Sequence, residues 1–190
     1  MEIGLKDLLK KDLRDEVIVF QTDTVYGVGC LLDSAEGVER IFRLKRRERS
    51  KPLAVLCADR ESLETLVRLN PTLDALARMH WPGPLTCIAE KTERVPDSVT
   101  RGLRTVGVRI PADATASAIL RRFGPMAVTS LNLSGEDEVL TYENACQFLA
   151  EVDVVVKGGD LSGPASTVVD TIHRKTLREG AVDVDWSRVR

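Results

Sequence analysis

Seven short apolar runs set the limits on what this chain can fold into: Val17–Phe20, Leu53–Ala58, Leu85–Ala89, Thr105–Ile110, Met126–Thr129, Val152–Val156 and Thr167–Ile172. Each is four to six residues long, shorter than a stable helix, and rich in side chains that suit a strand buried on both faces. Between most of them the apolar spacing changes to that of a helix. Leu5, Leu8, Leu9 and Leu13 predict an amphipathic helix over 3–14, and Ser34 can cap another whose inner face is Val38, Ile41 and Phe42. Asp59 opens a helix built on Leu63, Leu66 and Val67. Asn70-Pro71 opens one carrying Leu73, Leu76 and Ala77, and Asp113 one carrying Ala116, Ile119, Leu120 and Phe123, stopped by Gly124-Pro125. Thr141 begins the last, with Ala145, Phe148 and Leu149 on one face. Strands that alternate with helices imply an α/β fold. The late strands lack intervening helices, so the sheet is expected to mix parallel and antiparallel pairs.

At 190 residues, with no repeat or linker, the chain is expected to form one domain over 1–190. Hydrophobic residues make up 43% and aromatics only 4%, so the core should be aliphatic. A net charge of −2 excludes nucleic-acid binding by bulk charge, and any anion site must come from local clustering. Cys30, Cys57, Cys87 and Cys146 are scattered, with no C-x-x-C pair and no histidine at ligand spacing. They read as reduced thiols, with no metal site. No signal-like start and no apolar run of membrane length is present, so a soluble cytoplasmic protein is expected. Trp81-Pro82-Gly83-Pro84 must interrupt regular structure, and the polar stretch 90–104 reads as a mobile loop.

The local charge cluster is Arg43–Lys51, where six of nine residues are Lys or Arg and only Glu48 is acidic. A solvated helix end favoured by the helix dipole would explain most of it. Lys45 does not fit that explanation. It lies four residues after Ile41 and three after Phe42, on the apolar stripe, where a cation with no anion would be costly. The loop Gln21–Cys30 follows the first strand, where α/β sheets usually place ligands. Gly27-x-Gly29 does not extend to G-x-G-x-x-G, no G-x-x-x-x-G-K-[ST] exists, and no serine sits in G-x-S-x-G. His80 and His173 belong to no nucleophile–base pattern. The chemistry left is positioning and charge neutralisation, which suits phosphoryl or nucleotidyl transfer. Arg109 interrupts an apolar strand and shares a strand face with Gly107, which leaves room above it for a bidentate grip on a carboxylate or for a structural ion pair. Ser130-x-Asn132 follows another strand, as turn formers or as ligand contacts.

Several blocks in order carry a resemblance: Thr22-Asp23-Thr24-Val25-Tyr26-Gly27-Val28-Gly29-Cys30, Lys45-x-Arg47, Pro52-Leu53, Trp81-Pro82-Gly83-Pro84-Leu85-Thr86, Val108-Arg109-Ile110-Pro111, Ser130-x-Asn132-x-Ser134-Gly135 and Ser166-Thr167-Val168-Val169-Asp170. Together they resemble the threonylcarbamoyl-AMP synthase family, the YrdC-like domain. The resemblance implies a twisted mixed sheet with a basic concave face, flanked by helices. It also implies an enzyme that joins L-threonine, bicarbonate or CO2 and ATP into threonylcarbamoyl-adenylate and diphosphate. That product would supply a transferase machinery making N6-threonylcarbamoyladenosine at tRNA position 37. By the same resemblance Lys45 and Arg47 are the catalytic pair on the ATP phosphates, with Lys51 and Arg49 nearby. Thr22, Arg109 and Ser166 would hold threonine; Thr105, Ser130, Asn132 and Arg178 would line the nucleotide side. Mg2+ would arrive with ATP, held by phosphates and water.

The chain departs from the family pattern at Gln21 and Glu48, where proline is usual, at Lys51, where asparagine is common, and at Leu131, where a small residue usually sits. It ends without the additional C-terminal domain of longer members, so the short form is expected. Two alternatives remain open at this point. A module of this fold could hold double-stranded RNA or tRNA through phosphates without turnover. The carbamoyl-transfer domain of hydrogenase maturation proteins shares the fold, but carries zinc-finger cysteines not found here.

Overall fold

The expected strands pair into one sheet, and its open half positions the site. The computed structural model describes residues 1–189. Among them the strands are β1 (Glu2–Ile3), β2 (Ile18–Phe20), β3 (Gly27–Leu31), β4 (Ala54–Leu56), β5 (Leu85–Glu90), β6 (Thr105–Arg109), β7 (Met126–Ser130), β8 (Val154–Val156), β9 (Thr167–Asp170) and β10 (Lys175–Arg178). They form a single sheet of order β1-β8-β2-β3-β7-β4-β6-β5-β9-β10. The pairs β1/β8, β2/β8, β4/β6 and β5/β9 are parallel and the rest antiparallel, so the sheet is mixed as expected.

The helices are α1 (Leu5–Leu8), α2 (Ala35–Lys45), α3 (Arg60–Glu64), α4 (Pro71–His80), α5 (Asp97–Thr100), α6 (Ala114–Phe123) and α7 (Tyr142–Cys146). Five of them start where the capping residues predict. The side chains of Ser34, Asp59, Asn70, Asp113 and Thr141 accept from the N–H of Gly37, Ser62, Leu73, Ala116 and Asn144 respectively. Each such cap contributes about 1 kcal/mol.

Strand alternation divides the core in two. Val17, Val19, Val28, Val55, Val108 and Ala127 pack with Val38 and Ile41 of α2 and Leu73 and Leu76 of α4. Ile18, Phe20, Leu56, Met126, Val128, Val154 and Val156 point to the opposite face, against Leu8, Leu13 and the inner side chains of α6. That second layer takes nothing from β5, β6 or β9. The sheet there is left without a helical cover.

Three local expectations are corrected. The helix over 3–14 shrinks to the single turn Leu5–Leu8, because Glu2–Ile3 is drawn into parallel pairing with β8 and an isolated turn has little strength to extend. The loop Gln21–Cys30 gives up its second half to β3, which pairs with both β2 and β7. Its glycines are there for close approach: a Cβ on Gly29 would lie 2.8 Å from Val128 Cγ2 and 3.0 Å from Ala127 O. The segment 90–104 contains α5 and buries Val95, Val99 and Thr100. Leu53 N–H bonds Val99 O at 3.0 Å, so this segment supports the start of β4.

Candidate active site

The uncovered half of the sheet forms the floor of a cavity of about 620 Å3. Ala54 and Leu56 of β4, Thr86 and Ile88 of β5, Gly107 and Arg109 of β6, and Val128 and Ser130 of β7 supply that floor. Thr22, Thr24 and Val25 close one side. Arg47, Lys51 and Pro52 enter from the α2–β4 connection, and Ala165, Ser166, Val168 and Arg178 from the far edge. Of the sequence-predicted residues, the fold therefore brings Thr22, Arg47, Lys51, Arg109, Ser130, Ser166 and Arg178 to one space. Lys45, Arg49, Thr105 and Asn132 are not in its wall.

Arg109 is 5% exposed and rises from the floor beside Gly107, the small neighbour the alternation predicts. Its Nε donates to Gly83 O at 3.1 Å, Nη1 to Thr24 Oγ1 at 3.1 Å and Nη2 to Asp23 Oδ1 at 2.5 Å. A guanidinium has five N–H groups, so two remain uncommitted. Burial lowers its basicity, and the Asp23 carboxylate opposes that effect. Among the described residues, Asp23 Oδ2 is buried without a hydrogen-bond partner. The ion pair and the open grip are thus compatible. Asp23 and Thr24 hold the fork in place without exhausting it.

Lys45 is 2% exposed and turned away from the cavity. Its ammonium donates to Ser130 O at 2.6 Å, Asn132 O at 2.7 Å and Asn132 Oδ1 at 2.6 Å. Three oxygens, not an anion, take its three protons. Burial, and secondarily the nearby Arg47 cation, pull it down to about 8. Asn132 Oδ1 also accepts from Ser130 Oγ at 2.8 Å, and its Nδ2 donates to Glu136 O at 2.7 Å. Lys45 therefore staples the loop after β7 and sets the Ser130 side chain that does reach the cavity.

Arg47 is aimed by its own chain: Nε donates to Lys51 O at 3.1 Å and Nη2 to Pro52 O at 2.9 Å. Burial lowers its pKa, and the Arg178 cation lowers it further. Two cations that repel each other across a cavity wall favour an anion between them. Arg178 Nη2 in turn donates to Ser166 O at 2.6 Å. The departures from the family pattern find local reasons. Glu48 and Lys51 pair with each other at 3.2 Å, an exposed contact worth little. Gln21 bonds Asp113 and the Gly159 N–H, both at 2.8 Å, tying the Thr22 loop to its neighbours. Leu131 is fully buried in the core. Sequence reasoning assigned no role to Asp23, Thr24 or Thr86. The first two stood in the quoted Thr22–Cys30 block, but their partner lies some 85 residues on.

A family model covering Sua5, YciO and YrdC proteins, described as "Telomere recombination", matches residues 12–180. The chain belongs to the Sua5–YciO–YrdC family. Within that family it is 32% identical to the threonylcarbamoyl-AMP synthase of Chromobacterium violaceum, over 92% of each chain. The structure of Pyrococcus abyssi Sua5 complexed with L-threonine superposes with a TM-score of 0.89 at 31% identity, covering 95% of this chain and 57% of that one. Escherichia coli YciO, named as an uncharacterized protein, superposes at 0.88 with 27% identity and covers 98% and 96%. The chain spans about half the length (47%) of the P. abyssi threonylcarbamoyl-AMP synthase that it matches at 36% identity. Among the described residues no helix is long and apolar enough to cross a membrane.

Proposed function

We propose that this family member is an L-threonylcarbamoyladenylate synthase, forming threonylcarbamoyl-AMP and diphosphate from L-threonine, bicarbonate or CO2, and ATP. The observation that carries the reading is a single cavity whose wall holds two differently equipped sets of side chains, meeting where Arg178 bonds Ser166. Thr22, Thr24, Arg109 and Ser166 offer hydroxyls and a half-used guanidinium, and Arg47, Lys51 and Arg178 offer cations around Ser130. The first set suits a small amino acid held by its carboxylate, and the second suits a triphosphate.

In this reading the threonine amine, as the free base, adds to CO2. A C–N bond forms, one proton leaves to solvent, and a carbamate results; starting from bicarbonate, one water is released instead and no net proton leaves. A carbamate oxygen then attacks the ATP α-phosphorus in line. The new P–O bond replaces the bond to the β-phosphate, and diphosphate departs. The protein contributes position and charge. Arg109 fixes the amino acid, Arg47 and Arg178 neutralise the phosphates, and Lys45 acts at one remove by holding the loop of Ser130 and Asn132. Among the described residues no group of three or more His, Cys, Asp or Glu side chains could hold a metal ion. A Mg2+ would be carried in on the triphosphate as part of the substrate. The adenylate would pass to the machinery that modifies tRNA position 37.

The test is to supply ATP, Mg2+, bicarbonate and threonine and to look for the adenylate and diphosphate by mass spectrometry. A threonylcarbamoyl-adenylate that disappears when threonine is omitted is expected. Diphosphate release indifferent to threonine would overturn the assignment. So would steeply salt-dependent RNA binding with no ATP turnover, which would restore the RNA-binding alternative.

A further inference from the structure

On the side of β5 and β9 the cavity wall has an apolar part, formed by Ile88 and Val168. One polar island interrupts it. Thr86 Oγ1 and Ser166 Oγ lie 2.9 Å apart, at 7% and 6% exposure. Two hydroxyls carry two protons, and the bond between them uses one. Arg178 Nη2, 3.3 Å from Ser166 Oγ, can only donate, so it fills a lone pair and takes up no proton. Among the described residues neither hydroxyl has another side-chain partner, so one O–H is left without an acceptor. Leaving it unmet in a buried wall costs stability that a fully apolar pair of side chains would not lose.

The sheet register says where that donor stands. Cys87 pairs with Val108 and Ile88 with Gly107; one step further along the same antiparallel register sets Thr86 against Arg109. A ligand whose carboxylate is held by the two free N–H groups of Arg109 would bring its nearest side-chain atoms to the hydroxyl pair. A hydroxyl on its β-carbon would meet the unspent donor, and a methyl on the same carbon would meet Ile88 and Val168. We infer that Thr86, acting with Ser166, is a specificity-determining residue that reads the side-chain hydroxyl of a 2-amino-3-hydroxy acid. It thereby separates threonine from its isostere valine.

The inference rests on the synthase reading and adds a rule of selection to it. Sites built to bond a hydroxyl reject analogues that lack it strongly, whereas a missing methyl is worth only a modest factor. Wild type should therefore prefer threonine over valine by a much wider margin than threonine over serine. Thr86→Val keeps the shape of the side chain and removes the hydroxyl; Thr86→Ala guards against a packing artefact; Thr86→Ser keeps the hydroxyl.

The experiment is calorimetric titration of all four proteins with L-threonine, with L-valine as competitor, ATP binding as the control for the cationic part of the cavity wall, and thermal melting as the control for folding. In Thr86→Val and Thr86→Ala, threonine affinity should fall about tenfold, the loss of one hydrogen bond's worth of orientation. Valine and ATP affinities should hold, so the threonine-over-valine preference narrows, and Thr86→Ser should restore most of it. Unchanged threonine affinity in the folded hydroxyl-free variants, or equal losses for threonine and valine, overturns the role of Thr86. A wild-type protein that binds ATP but not threonine overturns the synthase reading, and this inference with it.

Discussion

Two buried cations, Arg109 in the cavity wall and Lys45 behind the loop after β7, differ in what they have left to give. Lys45 and Arg109 are both nearly inaccessible, at 2% and 5% exposure. Lys45 has spent its three protons on Ser130 and Asn132 oxygens. Arg109 has spent three of five on Gly83, Thr24 and Asp23, and its position in the cavity wall leaves the other two toward a ligand. Burial alone therefore does not mark a ligand contact. What separates a structural cation from a binding one is the count of unspent donors and where they face.

The comparison breaks most visibly at Arg109. Arg109→Lys keeps a positive partner for Asp23 but loses the planar fork, so threonine affinity should drop by roughly a hundredfold, about 2–3 kcal/mol of charge-assisted bonding. ATP affinity and melting temperature should change little. Threonine titration of the folded variant checks this, and near-wild-type affinity would show that the fork is structural.

Lys45→Met should show the reverse pattern. It takes the ammonium away from the carbonyl oxygens of Ser130 and Asn132, costing about 2–3 kcal/mol of stability in urea unfolding. It should weaken ATP through the displaced Ser130 loop while threonine binding persists. Loss of ATP affinity with full stability would instead make Lys45 a direct phosphate ligand.

The smallest effect is one of pH. Lys45 is lowered from 10.5 to about 8 by burial and by Arg47. Between those values the folded protein sheds a proton that the unfolded chain keeps, so stability contributed at this position rises with pH across that window. The urea midpoint of wild type relative to Lys45→Met should move upward from pH 8 to pH 10. A downward trend would mean that the carbonyl cage outweighs burial.

The same two residues show how far the sequence can be read. The place of Lys45 on the stripe of Ile41 and Phe42 was legible from helical spacing, as was the pairing of Arg109 with Gly107 from strand alternation. Their partners were not: Asn132 lies 87 residues from Lys45, and Asp23 lies 86 from Arg109. Local pattern carries no information about such pairings unless a family resemblance supplies it. β3 was missed for a related reason. Its residues read as the second half of the loop Gln21–Cys30, although the side chains of β7 are what demand its glycines. The helix caps, whose chemistry is local, fell where Ser34, Asp59, Asn70, Asp113 and Thr141 place them. Thr86 became visible only once β5 was set beside β6 and β9.

In the proposed reaction one cavity holds the amino acid and the nucleotide together, so that a carbamate attacks the α-phosphate. Exchange of labelled diphosphate into ATP tests it most directly, because the reverse reaction needs the same assembled site. Exchange is expected only when threonine and bicarbonate are both present, with none under CO2-free conditions. Exchange supported by ATP alone would mean adenylation of the protein, and exchange with threonine but no bicarbonate would mean an aminoacyl-adenylate; either result would contradict it.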